Sequence, residues 1–361
     1  MSAAKRVARD AGTTNYSGVM TSVTDIRPTV DPIPLPRALE GISVDGFYGA
    51  DSAPASLDAC APAVSGVTVS SNDCEPGWIF VAIPGLAQHG VRFAHAAIEA
   101  GACLILTDEV GRREAFERRL GVPVVQVSNP RAVVPLLCRN IYSSPATRVT
   151  TMAVTGTNGK TTTSYLMRAA LASRFPHASL CGTVETSVGP VSFEAVRTTA
   201  EAPVVARFLA ATDQYHCGAA VIELSAHALS LNRVDGIVFD VAAFTNLQHD
   251  HLDYYGDMET YFAAKALLFT PEHSRRGVVC VDDEWGRRLA DHATVPVTTV
   301  SALTHEAADW QVRDVTPDKS IGRTVFTLVS PDGSPHRVAM PILGDVNVQN
   351  TAVAIVSAVS L

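Results

Sequence analysis

Residues 151–166, TMAVTGTNGKTTTSYL, put two glycines, a lysine and a run of threonines between an apolar stretch and a helix-like one. Gly156 and Gly159 permit a tight turn that brings backbone N–H groups close to an anion. Lys160 can then reach terminal phosphates, and the Thr161 hydroxyl can face a magnesium ion at the start of a helix. Thr157, Asn158 and Thr162 complete the loop. The spacing is compressed: a strict G-x-x-x-x-G-K-[ST] loop needs glycine where Val154 stands. A plain glycine turn between strand and helix is the weaker alternative, because strand, G-x-x-G-K-T and helix occur in that order.

Three further groups could act with such a loop. Glu223 closes the apolar run AAVIE, so its carboxylate falls at the carboxyl end of a strand. There it either binds magnesium, which prefers oxygen ligands, or caps the next helix. FTNLQHDHLDYYG crowds His249, Asp250, His251 and Asp253 after another strand. The H-x-H pair suits a metal or a solvated loop, and no cysteine or third histidine sits at zinc spacing. Lys265 lies among Ala263, Ala264, Ala266 and Leu267, where a lysine either snorkels to water or, if desolvated, becomes a reactive amine.

These residues need an α/β scaffold to position them. GWIFVAIPG, CLILTD and VPVVQVS read as strands, and RFAHAAIEAG and RAVVPLLCRNIY as helices, giving a small α/β domain over residues 61–146. A second α/β domain spans 147–361, with strands at TTMAVTG, AAVIELS, DVAAFTN and RGVVCVD and helices at 161–173, 202–212 and 258–269. This alternation is expected to build a doubly wound sheet with ligands at the strands' carboxyl ends. Residues 1–60, with the proline-rich RPTVDPIPLPRAL, read as a loosely ordered lead-in with one short helix. The apolar helix in GDVNVQNTAVAIVSAVSL runs to the last residue, as if the architecture were cut there.

Composition narrows the classes. A net charge of −8 argues against broad attraction to nucleic acid or anionic membranes, though loops and metal ions can still hold a phosphate locally. Cys60, Cys74, Cys103, Cys138, Cys181, Cys217 and Cys280 are dispersed without a C-x-x-C pair, the pattern of reduced thiols in a cytoplasmic protein. No window approaches the roughly 18 uninterrupted apolar residues of a membrane span, and no apolar segment follows Lys5, Arg6 and Arg9.

Together the motifs resemble the Mur ligases, the ATP-dependent amide-forming family of peptidoglycan assembly, whose phosphate loop has the form G-T-N-G-K-T spelled by residues 156–161. The missing glycine is on this resemblance a family trait. ELSAHALSLNRVDG and FDVAAFTNLQHDHLDYYGDMETYFAAKALLF are similar to the MurE branch, which acts on UDP-N-acetylmuramoyl-L-alanyl-D-glutamate (UDP-MurNAc-L-Ala-D-Glu), and the likeness covers about residues 64–361. It implies a uridine-binding domain, a central ATPase domain, and ATP and Mg²⁺ as cofactors. Glu223 and Thr161 would serve one Mg²⁺, His251 a second, and Lys265 would carry a carbamate near the metals. Thr198, Thr199, Ser225 and Arg233 would hold the UDP-muramoyl dipeptide, Ser71 and His89 the uracil side, and Asn347 the adenine, with Asn350 nearby. A monomer with no nucleic-acid partner is expected.

Ser70, Ser71 and Asn72 stand where the family commonly has Asp-Ser-Arg, TTAEAP replaces the usual Thr-Thr-Pro, and Val346 stands at a common phenylalanine. The family's third, Rossmann-like domain, which carries the incoming amino acid, is not recognised before Leu361, so impaired ligation is expected. SNPR at 128–131 echoes a diaminopimelate motif but lies in the wrong domain. Two competing readings are a non-catalytic module that binds nucleotide or UDP-muramoyl peptide and a folylpolyglutamate synthetase. The second usually has glycine and serine after the loop lysine, where this chain has Thr161, Thr162 and Thr163.

Overall fold

The structure, a computed structural model, describes residues 26–57, 61–85, 88–195, 199–304 and 307–361. Two compact units emerge: residues 1–145 with 201–211, and residues 146–200 with 212–361.

The first unit is built on a five-stranded sheet in the order Gly46–Tyr48, Val124–Gln126, Ala102–Thr107, Trp78–Val81, Gly66–Thr68. All neighbours are parallel except the edge strand Gly46–Tyr48. A parallel sheet is covered on both faces, which is why its strands read as continuous apolar runs. Val67, Ile79, Leu104 and Val125 face a core with Leu35 and Leu137. Phe80, Ile105 and Val124 face the other, with Ala94, Ala97 and Leu120.

The expected loose lead-in is corrected here over residues 26–57. Ile33–Pro34 pairs with Ala63–Val64, Leu35–Ala38 is a helical turn, and Gly46–Tyr48 joins the sheet. Leu35, Ala38 and Phe47 are buried. Elements of two to four residues cover barely one hydrophobic period, too little for a pattern to repeat and register in the sequence. Residues 1–25 and Cys60 lie outside the described residues.

The second unit has an eleven-stranded sheet. Its parallel centre runs Ser179–Cys181, Ala219–Glu223, Thr150–Thr155, Val241–Phe244, Gly277–Cys280, Val297–Ser301, Trp310–Asp318. Antiparallel strands extend both ends: Glu185–Val188 and Val191–Glu194 on one side, Arg323–Val329 and Pro335–Met340 on the other. Helices Lys160–Leu171 and Asp345–Val359 pack on one another and on one face, where Met152, Val154, Met167, Leu171, Val348 and Val356 share a core. The final helix ends at Val359 with Ser360 as its C-cap residue, whose carbonyl accepts from Arg276 Nη1 at 2.7 Å.

The central strand Thr150–Thr155 is the pivot. Its neighbours are held in register, Glu223 opposite Val154 and Phe244 opposite Thr155, so three adjacent strands end at one level. Loops leaving the carboxyl ends of such strands are where an open α/β sheet binds its ligands.

Candidate active site

The loop after Thr155 turns through two glycines with positive φ, +150° at Gly156 and +84° at Gly159. A Cβ at Gly156 would strike the Thr245 hydroxyl, and one at Gly159 the Asn350 Oδ1, so both positions require glycine for space as well as backbone. Gly159 caps helix Lys160–Leu171 without using a side chain, leaving the first-turn amides aimed outward. Residues 245–248 brace the loop. Thr157 N donates to the Asn246 carbonyl at 2.9 Å, Asn158 N to Asn246 Oδ1 at 2.9 Å, and Thr245 Oγ1 to the Asn158 carbonyl at 2.7 Å. Asn158 Nδ2 donates to Gln248 Oε1 at 2.8 Å.

Glu223 is fully buried at the end of its strand. Its Oε2 accepts from Thr161 Oγ1 at 3.0 Å and Thr183 Oγ1 at 2.8 Å, and its Oε1 from Ser164 Oγ at 3.0 Å. The cap of the next helix is instead Ser225, whose hydroxyl accepts from Ala228 N, so helix capping does not account for Glu223. A Cβ at Gly182 would collide with the Glu223 carboxylate, so a second glycine-dependent wall closes over it.

Lys160 and Lys265 converge. Lys160 Nζ donates to the carbonyls of Gly156 at 3.0 Å and Thr157 at 2.9 Å, and Lys265 Nζ donates to the same Gly156 carbonyl at 2.9 Å. Burial lowers the pKa of Lys160, opposed by the charges of Glu223 and Asp250. Burial lowers that of Lys265 much further, helped by the neighbouring Lys160 ammonium and opposed by Asp250. Lys265 therefore does not snorkel. It is 1% exposed and its ammonium lies over the Tyr261 ring.

His251 has a left-handed backbone, φ +53°, and caps the short helix Leu252–Tyr255. Its Nε2 lies 3.6 Å from Asp250 Oδ2, and its ring meets those of His227 and Tyr261. Thus Thr161 and Glu223 form one oxygen pair, while His251 and Lys265 are joined through Tyr261. Among the described residues no group of three or more His, Cys, Asp or Glu could hold a metal ion.

Thr199, Ser225 and Arg233 gather at the same strand end. Thr199 Oγ1 donates to the Glu223 carbonyl at 2.9 Å and accepts from Ser225 N at 3.1 Å, and Arg233 Nη1 donates to the Thr199 carbonyl at 3.1 Å. Thr198 lies outside the described residues. Asn347 turns its amide back to the Leu343 carbonyl at 2.7 Å, whereas Asn350 abuts Gly159 with a buried Oδ1 that has no hydrogen-bonding partner among the described residues. Thr162 stands in the first turn of its helix.

The remaining two residues belong to the first unit. Ser71 opens the turn Ser71–Asp73. His89 accepts from Val91 N at Nδ1, so its Nε2–H donates to Asp108 Oδ1 at 3.1 Å. Both ring nitrogens of His89 are thereby engaged by the fold.

Sequence reasoning missed Thr183, Ser164, Thr245, Asn246, His227 and Tyr261. All but Thr183 sit inside the motifs TMAVTGTNGKTTTSYL, ELSAHALSLNRVDG, FTNLQHDHLDYYG and METYFAAKA, where the lysines, carboxylates and His251 carry the more obvious chemistry.

A parallel α/β sheet with a glycine loop and lysine at the carboxyl end of its central strand defines the phosphate-loop class of α/β proteins. Residues 154–358 match the Mur ligase middle domain, residues 63–142 match the Mur ligase family catalytic domain, and the chain belongs to the Mur ligase family. It is 42% identical to a UDP-N-acetylmuramoyl-L-alanyl-D-glutamate--2,6-diaminopimelate ligase of Streptomyces coelicolor, over 81% of this chain and 57% of the relative. It is 41% identical to a UDP-N-acetylmuramyl-tripeptide synthetase of Leifsonia xyli subsp. xyli, over 81% and 56%. The chain thus spans a little over half the length of the curated relatives it matches. A solved structure of a UDP-N-acetylmuramoyl-L-alanyl-D-glutamate--2,6-diaminopimelate ligase superposes with a TM-score of 0.72 at 26% identity, covering 91% of this chain and 63% of that one. A structure of MurF from Acinetobacter baumannii shares the fold, with a TM-score of 0.62 at 16% identity and coverage of 92% and 65%. No helix among the described residues is long and apolar enough to cross a membrane.

Proposed function

We propose that this chain carries the Mg-ATP and UDP-muramoyl-dipeptide surfaces of an ATP-dependent acid–amino-acid ligase. The reading takes UDP-MurNAc-L-Ala-D-Glu as substrate and a diamino acid as the incoming amine. The names of the relatives favour 2,6-diaminopimelate for that amine over lysine. The observation that carries the reading is the pairing of Thr161 Oγ1 with the buried Glu223 carboxylate beside two lysines on the Gly156 carbonyl.

The residues fit the cofactors. Asn350 offers a buried acceptor, without a partner among the described residues, beside the phosphate loop and suited to a nucleotide donor. Thr161 and Glu223 supply the hard oxygen donors that magnesium takes alongside phosphate and water. Magnesium there would neutralise phosphate charge. Lys160 would leave the loop carbonyls to meet the terminal phosphate, and the loop amides and helix start would hold the rest. The dipeptide's glutamate side-chain carboxylate would attack the terminal phosphorus, releasing ADP and giving an acyl phosphate. The amine nitrogen would then displace phosphate to form the amide. Thr198, Thr199, Ser225 and Arg233 would orient the dipeptide, with Ser71 and His89 on the uridine side and Asn347 near adenine, so that two anionic reactants meet in line.

Lys265 is read as a carbamate carrier. An amine reacts with CO₂ only when unprotonated, and the burial that lowers its pKa favours that form. The carbamate would present a carboxylate on the same side as His251.

Calorimetry with Mg-ADP tests the reading. Saturable binding that is lost in Lys160→Ala and Thr161→Ala supports it, and no binding by the parent chain sinks it. Phosphate release from ATP that depends on UDP-MurNAc-L-Ala-D-Glu separates a ligase site from a module that only binds.

A further inference from the structure

We propose that Tyr261 is a positioning residue of this site, the one ring that aligns His251 and Lys265 and ties both to the phosphate loop through Thr157. The inference rests on the reading of the loop as a nucleotide site.

Tyr261 is 1% exposed in helix Met258–Ala266, one turn before Lys265 and on the same helix face. Three parts of its side chain meet three parts of the site. Lys265 Nζ lies 4.7 Å from the ring centroid, over its face. The His251 ring packs at 6.0 Å between centroids and 80° between planes, an edge contact. The hydroxyl lies 3.3 Å from Thr157 Oγ1, which also accepts from Gln248 N at 2.9 Å.

The arrangement answers a positioning problem. His251 is 48% exposed on a loop with a strained backbone, so its imidazole gains its orientation from ring packing. His227 packs on it as well, with centroids 5.1 Å apart at 88°. Tyr255 stacks against Tyr261 at 5.2 Å and holds that ring in turn. A tyrosine that only filled the core would be replaceable by phenylalanine. A tyrosine that also braces Thr157 would not, because losing the hydroxyl frees one end of the loop that must cradle phosphate. Tyr261 acts through these neighbours: its hydroxyl is directed at Thr157.

The test uses the whole chain and four variants: Tyr261→Phe, Tyr261→Leu, Thr157→Val and the Phe/Val double. Mg-ADP affinity is measured by calorimetry, and the His251 ring-proton resonances by NMR. Tyr261→Phe is expected to weaken Mg-ADP binding about fivefold, the worth of one hydrogen bond, while leaving the His251 resonances in place. The double variant should lose no more than the larger single loss. Tyr261→Leu should shift the His251 resonances, because the ring current acting on them disappears. Mg-ADP affinity in Tyr261→Phe within twofold of the parent, or additive losses in the double variant, overturns the loop brace. Unmoved His251 resonances in Tyr261→Leu overturn the ring contact, and should that variant not fold, Tyr261→Phe and the cycle still decide. A parent chain that does not bind Mg-ADP would instead sink the nucleotide reading, while the His251 resonances would still report on the ring.

Discussion

The ammonium groups of Lys160 and Lys265 meet at a single acceptor, the Gly156 carbonyl, at 3.0 and 2.9 Å. Two lysines on one oxygen oppose one another's charge, and the buried one, Lys265, is the one that gives up its proton more readily than the half-buried Lys160. The site therefore sets a lysine suited to phosphate beside a second lysine, on the same acceptor, in which burial favours the neutral amine.

This pairing makes stability depend on pH. The folded-state pKa of Lys265 lies well below its ordinary 10.5, so between those two values the unfolded chain binds the extra proton and stability rises with pH. The maximum slope from one such group is about 1.4 kcal/mol per pH unit. Urea denaturation of the parent and of Lys265→Met, compared from pH 7 to 10, should show the parent gaining on the variant as pH rises. A constant difference across that range would contradict the buried-amine assignment.

Ser164 is expected to matter out of proportion to its size. It supplies the hydrogen bond to Glu223 Oε1, and a buried carboxylate that loses a donor costs roughly 1–3 kcal/mol. Ser164→Ala should lower the free energy of unfolding, read from urea denaturation, by that amount and weaken Mg²⁺-dependent nucleotide binding. Ser173→Ala, at an exposed serine past the end of helix Lys160–Leu171, should do neither.

Gly159→Ala should abolish Mg-ADP binding, since the new methyl meets Asn350 Oδ1 and the backbone stays at φ +84°. Left-handed backbone at a non-glycine residue costs roughly 1–2 kcal/mol. Adding Asn350→Ala removes the collision but not the backbone strain, so the double variant should recover part of the lost stability. Full recovery in thermal unfolding would place the whole cost in the collision.

In the first unit, Arg207 is fully buried, donates through Nη2 to Asp73 Oδ2 at 2.7 Å, and lies 4.9 Å from the Trp78 ring centroid. Asp73→Asn leaves that guanidinium uncompensated and should cost about 3–5 kcal/mol. Arg207→Met should cost less, because Asp73 keeps its bonds to Arg27 and Thr68. The reverse order in chemical denaturation would show that Asp73, not Arg207, depends on the pair.

Long apolar elements were legible in the sequence. Strands Thr150–Thr155, Ala219–Glu223, Val241–Phe244 and Gly277–Cys280 fall inside runs read as buried strands, because burial on both faces leaves a continuous apolar signal. The hairpin strands Glu185–Val188 and Val191–Glu194 at one end of the sheet escaped, since they carry polar residues and pair only with their near neighbours in sequence. The helical turn Leu35–Ala38 falls in the lead-in where the sequence predicts one short helix, though its brevity hid its bounds. In the site, charged residues drew notice through their chemistry, but Thr183 and Ser164 did not. A hydroxyl residue 40 or 59 positions from the carboxylate it serves leaves no local trace. Asn347 and Asn350 lie one helical turn apart, and only tertiary packing tells which of them touches the loop.

The fixed pairing of Glu223 with Val154 and of Phe244 with Thr155 acts as a ruler for the chemistry. Side chains alternate along a strand, so a slip of one residue in Ala219–Glu223 would point the carboxylate to the far face of the sheet and put Ile222 beside Thr161. Tolerance to change should accordingly divide by place: insertions in the hairpin turn at Gly189–Pro190 leave the ruler intact, while a single deletion within 219–222 erases the site with Glu223 and every other proposed ligand-binding residue still in the chain.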